Sequence, residues 1–224
     1  MDNQMYYDNT VSSKGQVSEW VTFGGDDDAK VRVLFVGNSI TRHEPAPHIG
    51  WNGDWGMAAS SKEKDYVHLT VEGLKKKYGK VKYCIAQMAI WERDFTNEEI
   101  LKSYWQAREF APDIVCIRIS ENVRKTNPRV AEYATELEKM VRYFAHKENC
   151  KIVMTEMYWH VQIFDDAIKT VCDNLGIVPV PLNDLGADRS MGAYGLFEHE
   201  GVQGHPGDKG MRAIADRLIE AIIE

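Results

Sequence analysis

The sequence predicts an α/β fold: a three-layer α/β/α sandwich around a five-stranded parallel sheet. Three observations predict it. Residues 31–37, Val-Arg-Val-Leu-Phe-Val-Gly, form a β-branched, apolar run that stops abruptly at Asn38-Ser39. A run this hydrophobic suits a central strand covered on both faces. Apolar runs of strand length then alternate with helical stretches to the C-terminus, the pattern of right-handed crossovers with helices on both faces of a parallel sheet. Finally, 224 residues with 44% hydrophobic content are enough for one α/β domain with a full core.

The elements follow in order. Residues 1–30 read as an N-terminal extension packed on a domain spanning residues 31–224. Within it, residues 17–23 suit a short strand, and Gly24-Gly25-Asp26-Asp27-Asp28 a polar turn. The acidic triplet lacks the spacing of a calcium loop and reads as a solvated linker. Gly37 lets the chain turn sharply after the first core strand. Pro45 and Pro47 then forbid a long helix, and His43 and His48 lie five apart in irregular chain, which is no helical metal pair. Trp51 and Trp55 stand among glycines close behind Ser39. Such rings either stack on a ligand such as a sugar or pack under a loop.

Residues 56–78 suit a long amphipathic helix with Val67, Leu69, Val71 and Leu74 toward the sheet. Residues 81–87 form the next strand, and Trp91-Glu92-Arg93-Asp94 follows it at the sheet edge that carries Ser39. A helix over 97–110 leads to a strand at 114–119, which ends in Ser120-Glu121-Asn122. A helix over 128–147, a strand at 151–155 and the loop Glu156-Met157-Tyr158-Trp159-His160 come next. A helix over 164–175 stops at Gly176, before a short fifth strand at 177–180. An irregular segment runs to residue 204. The last helix, 209–223, has Asp208 as a natural N-cap.

Composition narrows the function. A net charge of −7 and the lack of a basic stripe disfavour nucleic acid as a partner. No run of about 18 apolar residues is present, so no membrane span is expected. The N-terminus lacks a basic start and an apolar core, so it does not read as a signal peptide. Cys84, Cys116, Cys150 and Cys172 are widely spaced and read as buried thiols, in keeping with a reducing cytoplasm. Nothing calls for a metal or a cofactor.

In an open α/β sheet, ligands sit beyond the carboxyl ends of the strands. Three groups converge there: Ser39, Asn122, and His205 in the loop before the last helix. A serine at such a turn is often only a helix N-cap, and a lone histidine before a helix is often structural. Together, however, they supply a nucleophile, a base of suitable pKa and an amide donor for an oxyanion.

At these residues the sequence resembles the SGNH hydrolases, also called GDSL-type esterases and lipases, whose fold is flavodoxin-like. Gly37-Asn38-Ser39-Ile40-Thr41 resembles the block that carries the nucleophile, with Asn in place of the usual Asp. Pro112-Asp113-Ile114-Val115 followed by Ser120-Glu121-Asn122-Val123 resembles the block that supplies the oxyanion Asn, with Ser120 where the family has Gly and Val123 where it has Asp. His205-Pro206 and the helix after it resemble the block that carries the base. The resemblance runs from about residue 31 to the C-terminus.

It implies a Ser39 nucleophile, a His205 base, and an oxyanion hole made by Ser39 N–H, Asn122 and a backbone N–H near Ala89, in a stretch without the family's glycine. The family's triad acid lies three residues before the histidine, and that position is Val202. Glu200 or Glu198 reaching His205, a backbone carbonyl orienting the ring, and loss of activity are the three alternatives. The resemblance implies a serine esterase for a small-molecule or glycan ester. With Trp51, Trp55, Trp91, Tyr158 and Trp159 as a sugar platform and Asp54, Glu92 and Arg93 as hydroxyl partners, the reading is an O-acyl esterase, chiefly a deacetylase, acting on carbohydrate. A catalytically weak or inactive SGNH-like glycan-binding module is the alternative. A flavodoxin-like nucleotide or flavin protein ranks last, because the chain has neither a G-x-G-x-x-G stretch nor a P-loop.

Overall fold

The apolar runs pair into one five-stranded sheet, seen in a computed structural model that describes residues 20–224. The strands are β1 (Val21–Gly25), β2 (Val31–Gly37), β3 (Val81–Gln87), β4 (Ile114–Arg118) and β5 (Lys151–Met154), in the order β1-β3-β2-β4-β5. Strands β3, β2, β4 and β5 are parallel, and β2 sits at the centre with residues 33–36 fully buried.

The sheet departs from the expected all-parallel form at one edge. Strand β1 pairs antiparallel with β3, Val21 opposite Ala86 and Gly25 opposite Lys82. The short strand anticipated at 17–23 continues through Gly24 and Gly25, which pair with Tyr83 and Lys82 of β3 instead of opening a polar turn. The part of the anticipated 17–23 strand before residue 20 lies outside the described residues. The fifth strand expected at 177–180 contracts to a single parallel bridge between Val180 and Thr155. Five strands are present, but the fifth comes from the N-terminal side and runs the other way.

Nine helices are defined among the described residues: α1 (Tyr66–Tyr78), α2 (Ala89–Arg93), α3 (Glu98–Ser103), α4 (Trp105–Glu109), α5 (Tyr133–Phe144), α6 (Gln162–Leu175), α7 (Asn183–Ala187), α8 (Glu200–Gln203) and α9 (Asp208–Ile223). Side chains alternate across a strand, so each face of the sheet collects its own core. Val33 and Phe35 pack with Val67, Val71 and Leu74 of α1 and with Met211, Ile214 and Leu218 of α9. Leu34 and Val36 pack on the other face with Leu137, Met140 and Val141 of α5 and with Phe164 and Ile168 of α6. All four cysteines are free thiols, and Cys84, Cys116 and Cys172 are buried.

Three helices are shorter than their sequence patterns. The stretch read as a helix from residue 56 makes a 3₁₀ turn at Lys62–Lys64 and becomes α-helical only at Tyr66, where Asp65 caps it by accepting from His68 N–H at 2.8 Å. The helix anticipated over 97–110 breaks at Tyr104 into α3 and α4. The helix anticipated over 128–147 is α5, preceded by a 3₁₀ turn at Val130–Glu132. At the last helix the N-cap is Gly207, not Asp208. The Asp208 carboxylate instead accepts from Ser60 N–H and Ser60 Oγ–H, both at 2.8 Å, and from Lys64.

Candidate active site

The register sets the site. Gly37 of β2 lies level with Gln87 of β3 and Arg118 of β4, so three strands end at one line and their loops open on the same edge. The chain turns at once after Gly37. A side chain there would put its Cβ 1.9 Å from Thr41 Oγ1 and 2.9 Å from the Arg118 carbonyl oxygen, so only glycine fits. Thr41 N–H and Arg42 N–H both return to the Asn38 carbonyl, at 2.9 and 3.0 Å. This tight turn lifts Ser39 out of the buried strand.

Ser39 Oγ lies 2.8 Å from His205 Nε2, although 166 residues separate them in the chain. The opposite ring nitrogen, Nδ1, lies 2.6 Å from the Gly201 carbonyl oxygen. A carbonyl can only accept, so Nδ1 carries the proton and Nε2 is left to accept the serine proton. The carbonyl is available because α8 is a single turn: His205 N–H goes to Val202 O at 3.0 Å and leaves Gly201 O to the ring. Neither Glu200 nor Glu198, both exposed, makes this contact, and Val202 is buried. Burial pulls the His205 pKa below its ordinary value to about 4, only partly opposed by the Gly201 hydrogen bond, so the imidazole is neutral at neutral pH. Trp159 meets the His205 ring edge to face, with centroids 5.3 Å apart.

These groups line a pocket of about 330 Å³ that includes Ser39, His43, Met57, Glu121, Asn122, Trp159, Glu200 and His205. The lining holds no lysine or arginine. His43 donates from Nδ1 to the Glu44 carbonyl at 2.7 Å, and burial lowers its pKa as well.

Beneath the pocket lies a buried polar cluster. Asn38 Nδ2 donates to Glu92 Oε1 at 3.1 Å and to Glu121 Oε2 at 2.7 Å, while its Oδ1 accepts from Arg118. Arg118 also pairs with Glu121 Oε1 at 2.5 Å. Glu92 accepts from Ser120 N–H at 2.6 Å and from Asn122 Nδ2 at 2.6 Å. Burial first, and the Glu121 charge second, push the Glu92 carboxyl above the ordinary range, against the pull of these hydrogen bonds. Burial acts on Glu121 in the same sense, yet Arg118 and Asn38 outweigh it and hold that carboxyl below the usual range. The cluster explains why residue 38 is Asn: between two carboxylates, an amide donor is satisfied and an aspartate would be a third negative charge. Ser120, where the resembling family has Gly, sits at φ +110°. Its backbone is held there by Glu92, and its hydroxyl by Tyr133 OH at 2.7 Å.

The structure thus brings together Ser39, His205, Asn122, Glu200 and Trp159. It does not bring Ala89 to the pocket: its N–H is directed to Gln87 Oε1 at 3.0 Å. The expected sugar platform is also not formed. Trp51 is 2% exposed and packs against Trp55 and Phe197 under the loop, with its Nε1–H on the His43 carbonyl. Trp55 donates to the Ala59 carbonyl, and Trp91 is buried in the core with Phe95 and Tyr133. Asp54 pairs with Arg42 at 2.7 Å, and Glu92 is wholly buried. Sequence reasoning missed His43, Met57, Glu121 and Arg118. The one available signal was Arg118, a charge ending an otherwise apolar strand. Among the described residues, no group of three or more His, Cys, Asp or Glu could hold a metal ion, and no helix is long and apolar enough to cross a membrane.

No family model matches the sequence, and no curated protein is a significant match. Solved structures match the fold. A GDSL-like lipase from Parabacteroides merdae superposes with a TM-score of 0.58 at 19% identity, covering 86% of this chain and 95% of that one. A family two carbohydrate esterase from Cellvibrio japonicus gives 0.56 at 16% identity over 87% of this chain and 61% of its own. A two-domain esterase active on acetylated mannans gives 0.53 at 17% identity over 86% of this chain and 49% of its own.

Proposed function

With the fold of the SGNH hydrolases as the premise, we propose that this protein is a serine esterase that removes small acyl groups, chiefly acetyl, from carbohydrate esters. The observation that carries the reading is the 2.8 Å contact between Ser39 Oγ and a neutral His205 Nε2 at the wall of a pocket. Ser39 Oγ attacks the ester carbonyl as His205 Nε2 takes its proton. Ser39 N–H and Asn122 Nδ2 face the developing oxyanion. His205 returns the proton to the leaving alcohol, and water, deprotonated by the same nitrogen, releases the acid and restores Ser39. The Gly201 carbonyl fills the orienting role of a triad acid without supplying its charge.

Two features support the substrate class. A pocket of about 330 Å³ suits a short acyl chain, and a lining without lysine or arginine suits a neutral ester over an anionic one. Some neighbours in fold act on carbohydrate, one of them on acetylated mannans. The test is hydrolysis of acetyl to butyryl p-nitrophenyl esters and of acetylated sugars by wild type and Ser39→Ala. Turnover of acetylated sugars that disappears in the variant is expected. Equal rates for the two proteins would overturn the reading.

A further inference from the structure

Glu92 is a carboxylate with no exposed surface, on the short helix α2, and it takes hydrogen bonds from two different loops. Its Oε1 accepts from Ser120 N–H (2.6 Å), Asn122 N–H (3.3 Å) and Asn38 Nδ2 (3.1 Å). Its Oε2 accepts from Asn122 Nδ2 at 2.6 Å. Every one of these partners is an N–H donor. A carboxylate accepts on both oxygens and satisfies all four, whereas a neutral acid or an amide would set one donor against another. The contact at Oε2 decides which way the Asn122 carboxamide faces. One Nδ2 hydrogen is held by Glu92 and the other is left for the pocket, which Asn122 lines.

We infer that Glu92 is a positioning residue that fixes the Asn122 carboxamide with Nδ2–H toward the oxyanion, and couples that loop to the turn bearing Ser39 through Asn38. The inference rests on the esterase reading and adds to it a buried group that never touches substrate. An oxyanion donor acts only if it is already oriented when charge develops, and losing one lowers kcat by about 10²–10³.

The diagnostic variant is Glu92→Gln. It keeps the side chain's size and one carbonyl oxygen for the three donors at Oε1. It also places an NH₂ opposite Asn122 Nδ2, so the Asn122 amide turns over and presents Oδ1. The expected result on p-nitrophenyl acetate is a kcat about 100-fold lower with KM changed less than about twofold. In an Asn122→Ala background the same substitution should change kcat less than about twofold, because the group it orients is gone. An unchanged kcat, or an equal fall in both backgrounds, would overturn the inference and leave Glu92 a structural residue. If Glu92→Gln fails to fold, the wild-type protein decides. The Asn122 side-chain amide, assigned by its loss in Asn122→Ala, should show one proton shifted downfield and slow to exchange in a ¹⁵N NMR spectrum. Two ordinary, fast-exchanging protons would overturn the contact. Lack of any Ser39-dependent hydrolysis would instead defeat the esterase reading and the oxyanion role with it, which is a separate result from active enzyme indifferent to Glu92→Gln.

Discussion

The His205 ring donates from Nδ1 to the backbone carbonyl of Gly201 at 2.6 Å, four residues earlier in the chain. The proposed base is therefore oriented by the main chain of the turn that precedes it. Because the acceptor is a peptide group, no side-chain substitution removes it, and the position where the SGNH pattern has its acid is free to do something else.

At residue 202 that other role is packing. Val202 is fully buried beside Trp51, Ala193 and Met57. Val202→Asp would restore the family pattern on paper and bury an unpaired charge in practice. The expected outcome is a loss of about 3 kcal/mol in urea denaturation with no gain in kcat. A more active, equally stable variant would show that the carboxylate can displace the Gly201 carbonyl.

Activity should persist in acid. The proposed base works only when neutral, and burial has lowered the His205 pKa from 6.5 to about 4. The kcat/KM profile on a neutral acetyl ester should stay flat as pH falls through 6 and drop as it passes about 4. An acid limb centred near 6.5 would show an imidazole in ordinary solvent contact. The same shift has a stability consequence of definite sign. Between about 6.5 and about 4 the unfolded chain binds a proton that the folded one refuses, so this contribution is full above 6.5 and is lost as pH falls toward 4.

Asn38→Asp recreates the usual nucleophile block and should still be harmful. The amide donates to both Glu92 and Glu121, and an aspartate there loses both hydrogen bonds and faces two carboxylates. A loss of about 3 kcal/mol is expected, checked by denaturant titration near neutral pH, together with a lower kcat. A variant as stable as wild type would mean that Arg118 alone can neutralise the cluster.

The tryptophans should separate by role. Trp159→Ala opens the pocket wall beside His205 and should raise KM for an acetylated sugar several-fold with little change in melting temperature. Trp51→Ala removes a buried ring under the loop and should lower stability by about 3–5 kcal/mol while any folded fraction keeps its KM. The reverse assignment, read from KM and melting curves side by side, would return Trp51 to the substrate.

The parts of this molecule that were legible in the sequence have a local cause. A fully apolar run ending in Gly-Asn-Ser marks a central strand and its turn, so Ser39 was identifiable, and the strand-end positions of Asn122 and the pre-helix position of His205 followed. What was not legible depends on distant partners. Tryptophans among glycines read alike whether their rings meet a ligand or the underside of a loop, and Trp51 and Trp91 turn inward. Glu92 reads as a solvent-facing partner for hydroxyls until Asn38, Ser120 and Asn122 are seen to surround it. An orienting backbone carbonyl leaves no letter in the sequence at all. Residues 21–23 mark a strand locally, but its antiparallel place beside β3 and its run through Gly24-Gly25 depend on a distant partner, and residues 177–180 promise a strand that only Val180 delivers.

The antiparallel edge has a bearing on handling the protein. By lying along β3 from Lys82 to Ala86, strand β1 occupies the main-chain groups that would otherwise face outward at the rim of a hydrophobic sheet. A shortened chain beginning at residue 30 would keep every group of the proposed chemistry yet bare that rim, inviting one molecule to zip onto the next and come out of solution as aggregate.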